Sequence, residues 1–226
     1  KQIIAGLTVE VIERLSSRDA VIKSDKSSSV GVTFNSQELK IELDELVTGS
    51  GITPYLHTLF SEPYFDEAGK LTGVIVDNKS GRGIIKSKYF IDATGDGDLC
   101  FRAGIETFTF DLLQPPTTCA YFDGWDGNEF NSLLKLYGKE FKIPEGFVWG
   151  AKVPTTNSYM LAGTRVYGVN CSNADDLTKA EIEGRRQIRA MLDMIRKYGK
   201  NKNVGLVGLP SHIGLRETRH IKCLYQ

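Results

Sequence analysis

No stretch of the 226 residues approaches the roughly 20 consecutive apolar side chains that cross a bilayer, so the pattern names no membrane partner. Neither sign of charge prevails: 28 Lys and Arg face 28 Asp and Glu, a formal net charge of +0. Without a global field, nucleic acid is not an expected partner either. Cys100, Cys119, Cys171 and Cys223 lie far apart and form no Cys-x-x-Cys pair, which leaves a zinc site or a redox dithiol without support. A Gly-x-Ser-x-Gly elbow is missing, so His57 has no nucleophile to serve, and the alternation Tyr55-Leu56-His57-Thr58 predicts a residue on a sheet edge. Asp92, Asp96 and Asp98 are spaced like metal ligands but no EF-hand pattern surrounds them, and no metal is expected. Internal repeats are lacking, and only residues 24–29, with three consecutive serines, read as a flexible connection. No signal peptide is visible, and the compartment stays open.

What is present is an ordinary globular composition, 41% hydrophobic and 25% charged, sufficient for one large or two small domains. Ile4, Leu7, Val11 and Leu15 predict a helix ending near Ser16, followed by a strand over 20–22. A strand over 30–34 leads to a helix capped by Asn35 or Ser36, with Leu39, Leu43, Leu46 and Val47 on one face and Gly49 at its end. With a strand over 52–59 this unit suits a parallel crossover. Residues 52–59, 71–77 and 84–93 read as successive strands separated by Asp-Glu-Ala-Gly and Lys-Ser-Gly-Arg-Gly turns.

Beyond Gly104 the texture becomes aromatic, with Tyr121, Phe122, Trp125, Phe130, Tyr137, Phe141, Phe147 and Trp149. Rings at this density build a core, and some of them are candidates to line a pocket. Residues 159–163 and 165–169 read as a hairpin or as two adjoining strands. Thr178-Lys179-Ala180-Glu181 has the form of a capping box, with Ile182, Ile188, Leu192 and Ile195 as the buried stripe and Gly199 as the stop. Arg185, Arg186, Arg189 and Arg196 read as a solvated face partnered by Glu181 and Glu183.

Two motifs carry chemistry. In the first, the apolar run Tyr89-Phe90-Ile91-Asp92-Ala93 enters a Thr94-Gly95-Asp96-Gly97 turn that opens a helix at Asp98. Glycines in such a turn let a ligand approach the main chain; the plainer alternative is an ordinary strand-to-helix turn. In the second, a strand over 213–221 would set Ile213, Leu215, Glu217, Arg219 and Ile221 on one face, with Glu217 and Arg219 as a structural pair. His212, Gly214, Arg216, Thr218 and His220 would share the other face, which has no large apolar residue.

The run Ile91-Asp92-Ala93-Thr94-Gly95-Asp96-Gly97-Asp98-Leu99 and the tail Gly214-Leu215-Arg216-Glu217-Thr218-Arg219 resemble, in order and position, motifs of the FAD-dependent oxidoreductase family of two-dinucleotide-fold flavoproteins. The resemblance implies an α/β fold with α+β character: a partial FAD-binding doubly wound sheet with an antiparallel excursion, plus a substrate domain. Its expected division is 1–27 as an N-terminal helix and connection, 28–108 as part of the FAD-binding domain and 109–226 as the substrate-binding domain. FAD is the implied cofactor, with Thr94, Gly95, Asp96 and Gly97 carried over as its contacts. The family opens on a Gly-x-Gly-x-x-Gly loop that holds the FAD pyrophosphate. No such loop occurs here; the nearest run, Gly95-Asp96-Gly97-Asp98-Leu99-Cys100, ends on cysteine. The start inside a helical stripe and the stop at Gln226, short of the family's returning segment, lead to the expectation of an internal piece. The missing terminal segments of the parent chain would then be its partners, and the piece alone would be nearly inactive.

The same resemblance implies two-electron oxidation or reduction of a small organic substrate at the flavin. Arg216 is the candidate to clamp a carboxylate, with Thr218 and His220 beside it; His212 or His220 is the candidate to move a proton. The competing reading for these residues is an inter-domain ion pair with two surface histidines. For the whole chain, the alternatives are a flavin-free binding module for a sugar or small acid, and a structural interaction domain with no hollow near Arg216.

Overall fold

A computed structural model describes residues 5–23 and 31–223. Ile4, the serine-rich run and part of the expected strand over 30–34 fall outside them. In chain order the elements are α1 (Leu7–Ser16), β1 (Val21–Lys23), β2 (Val32–Phe34), α2 (Ser36–Gly49), β3 (Leu59–Phe65), β4 (Leu71–Asn78) and β5 (Gly81–Lys86). After them come α3 (Asp98–Arg102), β6 (Thr107–Phe108), β7 (Cys119–Asp123), α4 (Phe130–Tyr137), β8 (Trp149–Lys152), β9 (Ser158–Ala162), α5 (Ala174–Tyr198), β10 (Gly205–Gly208) and β11 (His220–Ile221). The class is mixed α/β, and every ladder among the described residues is antiparallel.

The main core lies in the second half of the chain. Strands run in the order β10-β7-β9-β8. Alternation along β7 and β9 turns Ala120, Phe122 and Leu161 toward Ile188, Met191, Leu192, Met194 and Ile195 of α5, and all of them are buried. Trp125 sits at the centre of an aromatic cluster, edge-on to Phe122, Phe130 and Tyr159 at centroid distances of 5.7, 5.6 and 5.5 Å. Most of the aromatic stretch is thus core, while Phe147 and Trp149 remain exposed.

α5 begins one turn before the expected capping box. Asn173 is its N-cap and accepts from the Asp176 N–H at 2.9 Å. Thr178, expected as the cap, instead donates its hydroxyl to the Ala174 carbonyl one turn back. Hydrogen bonds from the Asn170 main chain, Lys179 and Asn173 hold the Asp176 carboxyl down at about 2, at the end of the helix where negative charge is favoured. Ile182, placed in the stripe by spacing, is 61% exposed. The buried line runs instead through Ala180, Gly184, Gln187 and Ile188, because a Cβ at Gly184 would fall 2.1 Å from Thr118 Oγ1 and only glycine admits that approach. The Arg185 and Arg186 pairs with Glu181 and Glu183, at 3.1 and 2.6 Å, make up the solvated face.

The first half is less well packed, and several expectations are corrected there. No parallel crossover forms: β1 pairs antiparallel with β2, residues 52–58 lie outside any strand, and β3 starts only at Leu59. His57 adopts a φ of 52° in the turn before β3 rather than decorating a sheet edge. β5 stops at Lys86, and residues 89–93 belong to no strand, leaving Tyr89 and Ile91 87% and 92% exposed. Residues 165–169 form no hairpin with β9, because β7 and β8 already occupy both of its edges.

Candidate functional site

Asp92 staples the turn that follows residues 89–93. One carboxylate oxygen accepts from the Thr94 N–H at 3.1 Å and the Thr94 hydroxyl at 2.7 Å, and the other accepts from the Cys100 N–H at 2.9 Å. Thr94 Oγ1 in turn accepts from the Asp98 N–H at 2.9 Å. Burial alone would raise the Asp92 pKa, but these hydrogen bonds outweigh it and hold the carboxyl below its ordinary value. Gly95 and Gly97 have φ of 88° and 64°, a region that favours glycine. Space is also used differently at the two positions. A Cβ at Gly95 would meet nothing within 4 Å, so its main chain is open to a ligand, whereas one at Gly97 would fall 2.9 Å from Ile221 Cγ1 of the tail.

The tail reaches this turn through one isolated bridge and one short ladder. Thr117 and Gly214 exchange N–H···O bonds of 2.9 and 2.8 Å, and β11 pairs with β6. Between them residues 215–219 belong to no ladder, so the strict alternation expected over 213–221 fails. Glu217 and His220, assigned to opposite faces, meet at 3.2 Å, and Glu217 also accepts from the Gln114 N–H at 3.0 Å. The expected Glu217–Arg219 pair does not form. Arg219 pairs with Asp98 at 3.2 Å and lies over the Phe101 ring, 4.1 Å from its centroid.

Residues 94–96 and 215–220 line one hollow of about 340 Å³. Across it the buried Thr218 hydroxyl donates to Asp96 Oδ1, joining motifs 122 residues apart. His220 stands between Phe108 and Phe110, with ring centroids 5.2 and 5.1 Å away. Arg216 borders the same hollow and carries no ion pair among the described residues. Its charge partly offsets the burial that pushes the Cys119 thiol up. Thr94, Gly95, Asp96, Arg216, Thr218 and His220 are therefore brought together, with Gly97 packed beneath the tail. His212 is not: it is exposed and lies outside the lining, next to Ile213, whose N–H is held by Glu181 at 2.7 Å.

Arg219 was missed by the sequence pattern, which set it on the apolar face. Its side chain is only 10% exposed, and its Nη1 is a buried donor with no hydrogen-bond partner among the described residues. An orphaned buried donor beside a hollow is a group that an acceptor beyond the described residues would satisfy. With the open main chain of Gly95, it makes this wall suited to an oxygen-rich cofactor such as FAD. The glycine-rich pyrophosphate loop is absent from these 226 residues, so they offer only part of a cradle.

The model of the FAD dependent oxidoreductase family matches residues 1–226. No curated protein matches the chain. Among solved structures, CabE, an aromatic hydroxylase from angucycline biosynthesis, is similar with a TM-score of 0.54 and 13% identity, over 97% of this chain and 45% of its own. A triple mutant of the flavin-dependent brominase Bmp2 is similar with a TM-score of 0.49 and 12% identity, over 96% of this chain and 55% of its own. The chain spans about half the length of these structures. At such identity the likeness to CabE bears on the fold alone, and it agrees with the mixed α/β architecture.

Proposed function

The chain belongs to the FAD dependent oxidoreductase family, and from that premise we propose that residues 94–97 and 215–220 form one wall of its flavin and substrate site. The whole protein would oxidise or reduce a small organic substrate that carries an anionic group. The observation that carries this reading is the Thr218–Asp96 hydrogen bond, which joins the two motifs around one hollow. In the whole protein, residues 28–108 contribute to the flavin side and residues 109–226 to the substrate side. FAD, when bound, supplies the two-electron chemistry.

The chain's own residues have separable tasks. Thr94, Gly95 and Asp96 present main-chain and side-chain polar groups to the cofactor, and Arg219 Nη1 offers it an unused donor. Arg216 holds the substrate's anionic group by charge-assisted hydrogen bonds. His220, steadied through Nε2 by Glu217, moves the proton that accompanies oxidation or reduction, a task to which imidazole is suited near neutral pH. A second reading, flavin-free binding of a small acid in the same hollow, draws on the absent glycine-rich loop.

The test is anaerobic mixing of the FAD-loaded whole protein with small organic acids and their neutral amides, followed at the flavin absorbance bands. Bleaching is expected with acids. Hydrogen bonds to a charged group contribute about 1.5–3 kcal/mol, so Arg216→Gln is expected to slow bleaching at subsaturating substrate by roughly 10- to 150-fold. Bleaching at equal rates by acids and amides, or by wild type and Arg216→Gln, would remove Arg216 from the substrate site.

A further inference from the structure

Arg216 also borders a second hollow, of about 200 Å³, whose other walls include Thr117, Phe147, Trp149 and Arg165. We propose that this hollow is the subsite for the ring of a single-ring aromatic carboxylate, whose carboxylate is held by Arg216, the residue that borders both hollows. The proposal rests on the reading of Arg216 given above and names the substrate class of that site.

Three observations support it. The first is a pair of exposed rings on a locked segment. Val148 is buried, its N–H donates to Asn131 Oδ1 at 3.0 Å, and its carbonyl accepts from Asn131 Nδ2 at 2.8 Å. Alternation about Val148 turns Phe147 and Trp149 the other way, where they are 68% and 51% exposed. The Phe147 carbonyl is held by Arg165. Two large rings presented by a fixed backbone need little ordering when a flat ligand arrives.

The second observation is unbalanced charge. Arg165 donates to the main-chain carbonyls of Gly163, at 2.9 Å, and Phe147. It lies against Gly146, where a Cβ would fall 2.6 Å from its Cζ. Neither Arg165 nor Arg216 has a carboxylate partner among the described residues, although the chain has a net charge of +0. Two uncompensated guanidinium groups around one small hollow favour an anion there. The third observation is size. A dry cavity of about 150 Å³ accommodates benzene, so about 200 Å³ is room for a single ring.

The test uses benzoate as the probe, titrated into the whole protein in its flavin-free form. Binding is followed by calorimetry and by tryptophan fluorescence, with Trp149→Phe identifying the reporting ring. Benzoate is expected to bind saturably and to quench Trp149. Benzamide, which lacks the charge, and acetate, which lacks the ring, are expected to bind at least about tenfold more weakly. Arg216→Gln and Phe147→Ala alter exposed side chains, so both variants should fold, and each is expected to weaken benzoate binding by several-fold or more. Benzamide or acetate binding as well as benzoate, or unchanged affinity in both variants, would overturn the assignment. Because no flavin is present, benzoate binding by a protein that proves not to use FAD would leave this subsite standing while the redox reading falls. A flavoprotein indifferent to benzoate would do the reverse.

Discussion

Phe122→Ala is expected to lower the stability of the chain by about 3–5 kcal/mol. The side chain is fully buried on β7, edge-on to Trp125 at 5.7 Å, and belongs to the cluster that joins the four-stranded sheet to α5. Truncation removes the transfer free energy of the ring and leaves a cavity that β9, β10 and α5, all engaged in other contacts, cannot close. Whole domains are stable by only about 5–15 kcal/mol, so the variant should lie near its unfolding threshold. Urea titration is the measurement, with the midpoint falling and the slope unchanged. Ile182→Ala on the outer face of α5 should cost less than about 0.5 kcal/mol, since most of that side chain faces solvent. A large loss at Ile182 and a small one at Phe122 would mean that α5 is rotated from the orientation described.

Thr218→Val is expected to cost about 1.5–3 kcal/mol, a large effect for the loss of one oxygen. Valine keeps the shape and removes the hydroxyl that Asp96 accepts, leaving a half-buried carboxylate without its partner in the tail. Thr218→Ser, which retains the hydroxyl, should recover most of the loss. A double-mutant cycle with Asp96→Ala isolates the pair: coupled residues show interaction energies of about 0.5–3 kcal/mol, and separated ones add. Additivity would mean that residues 94–97 and 215–220 do not act as one unit. Coupling would also explain why Gly97 must be glycine, since β11 packs directly on it.

The parts of this site that were legible in the sequence are those governed by local chemistry. A Thr-Gly-Asp-Gly turn announces positive φ, and Gly95 and Gly97 have it. Gly199 ends α5 where spacing placed the stop, and Asn35 caps α2. What the pattern did not disclose depends on partners distant in the chain. Residues 52–59 are apolar enough for a strand, but strand formation needs a neighbour, and β3 pairs with β4 only from Leu59 onward. Ile182 matches the period of a buried stripe, yet the line that meets the sheet is set by the close approach of Gly184 to Thr118. The alternation assigned to 213–221 holds only where a ladder enforces it, so Glu217 turns to His220 and Arg219 to Asp98. Arg165 gave no local signal, because its role comes from carbonyls on two different loops.

Residues 94–97 and 215–220 are proposed to wall a single flavin site. Amide hydrogen exchange of the whole protein with and without FAD tests it most directly, because it reads both segments at once and alters neither. FAD is expected to slow exchange in both segments together, while the outer face of α5 is unchanged. Protection confined to one segment, or falling on neither, would contradict it.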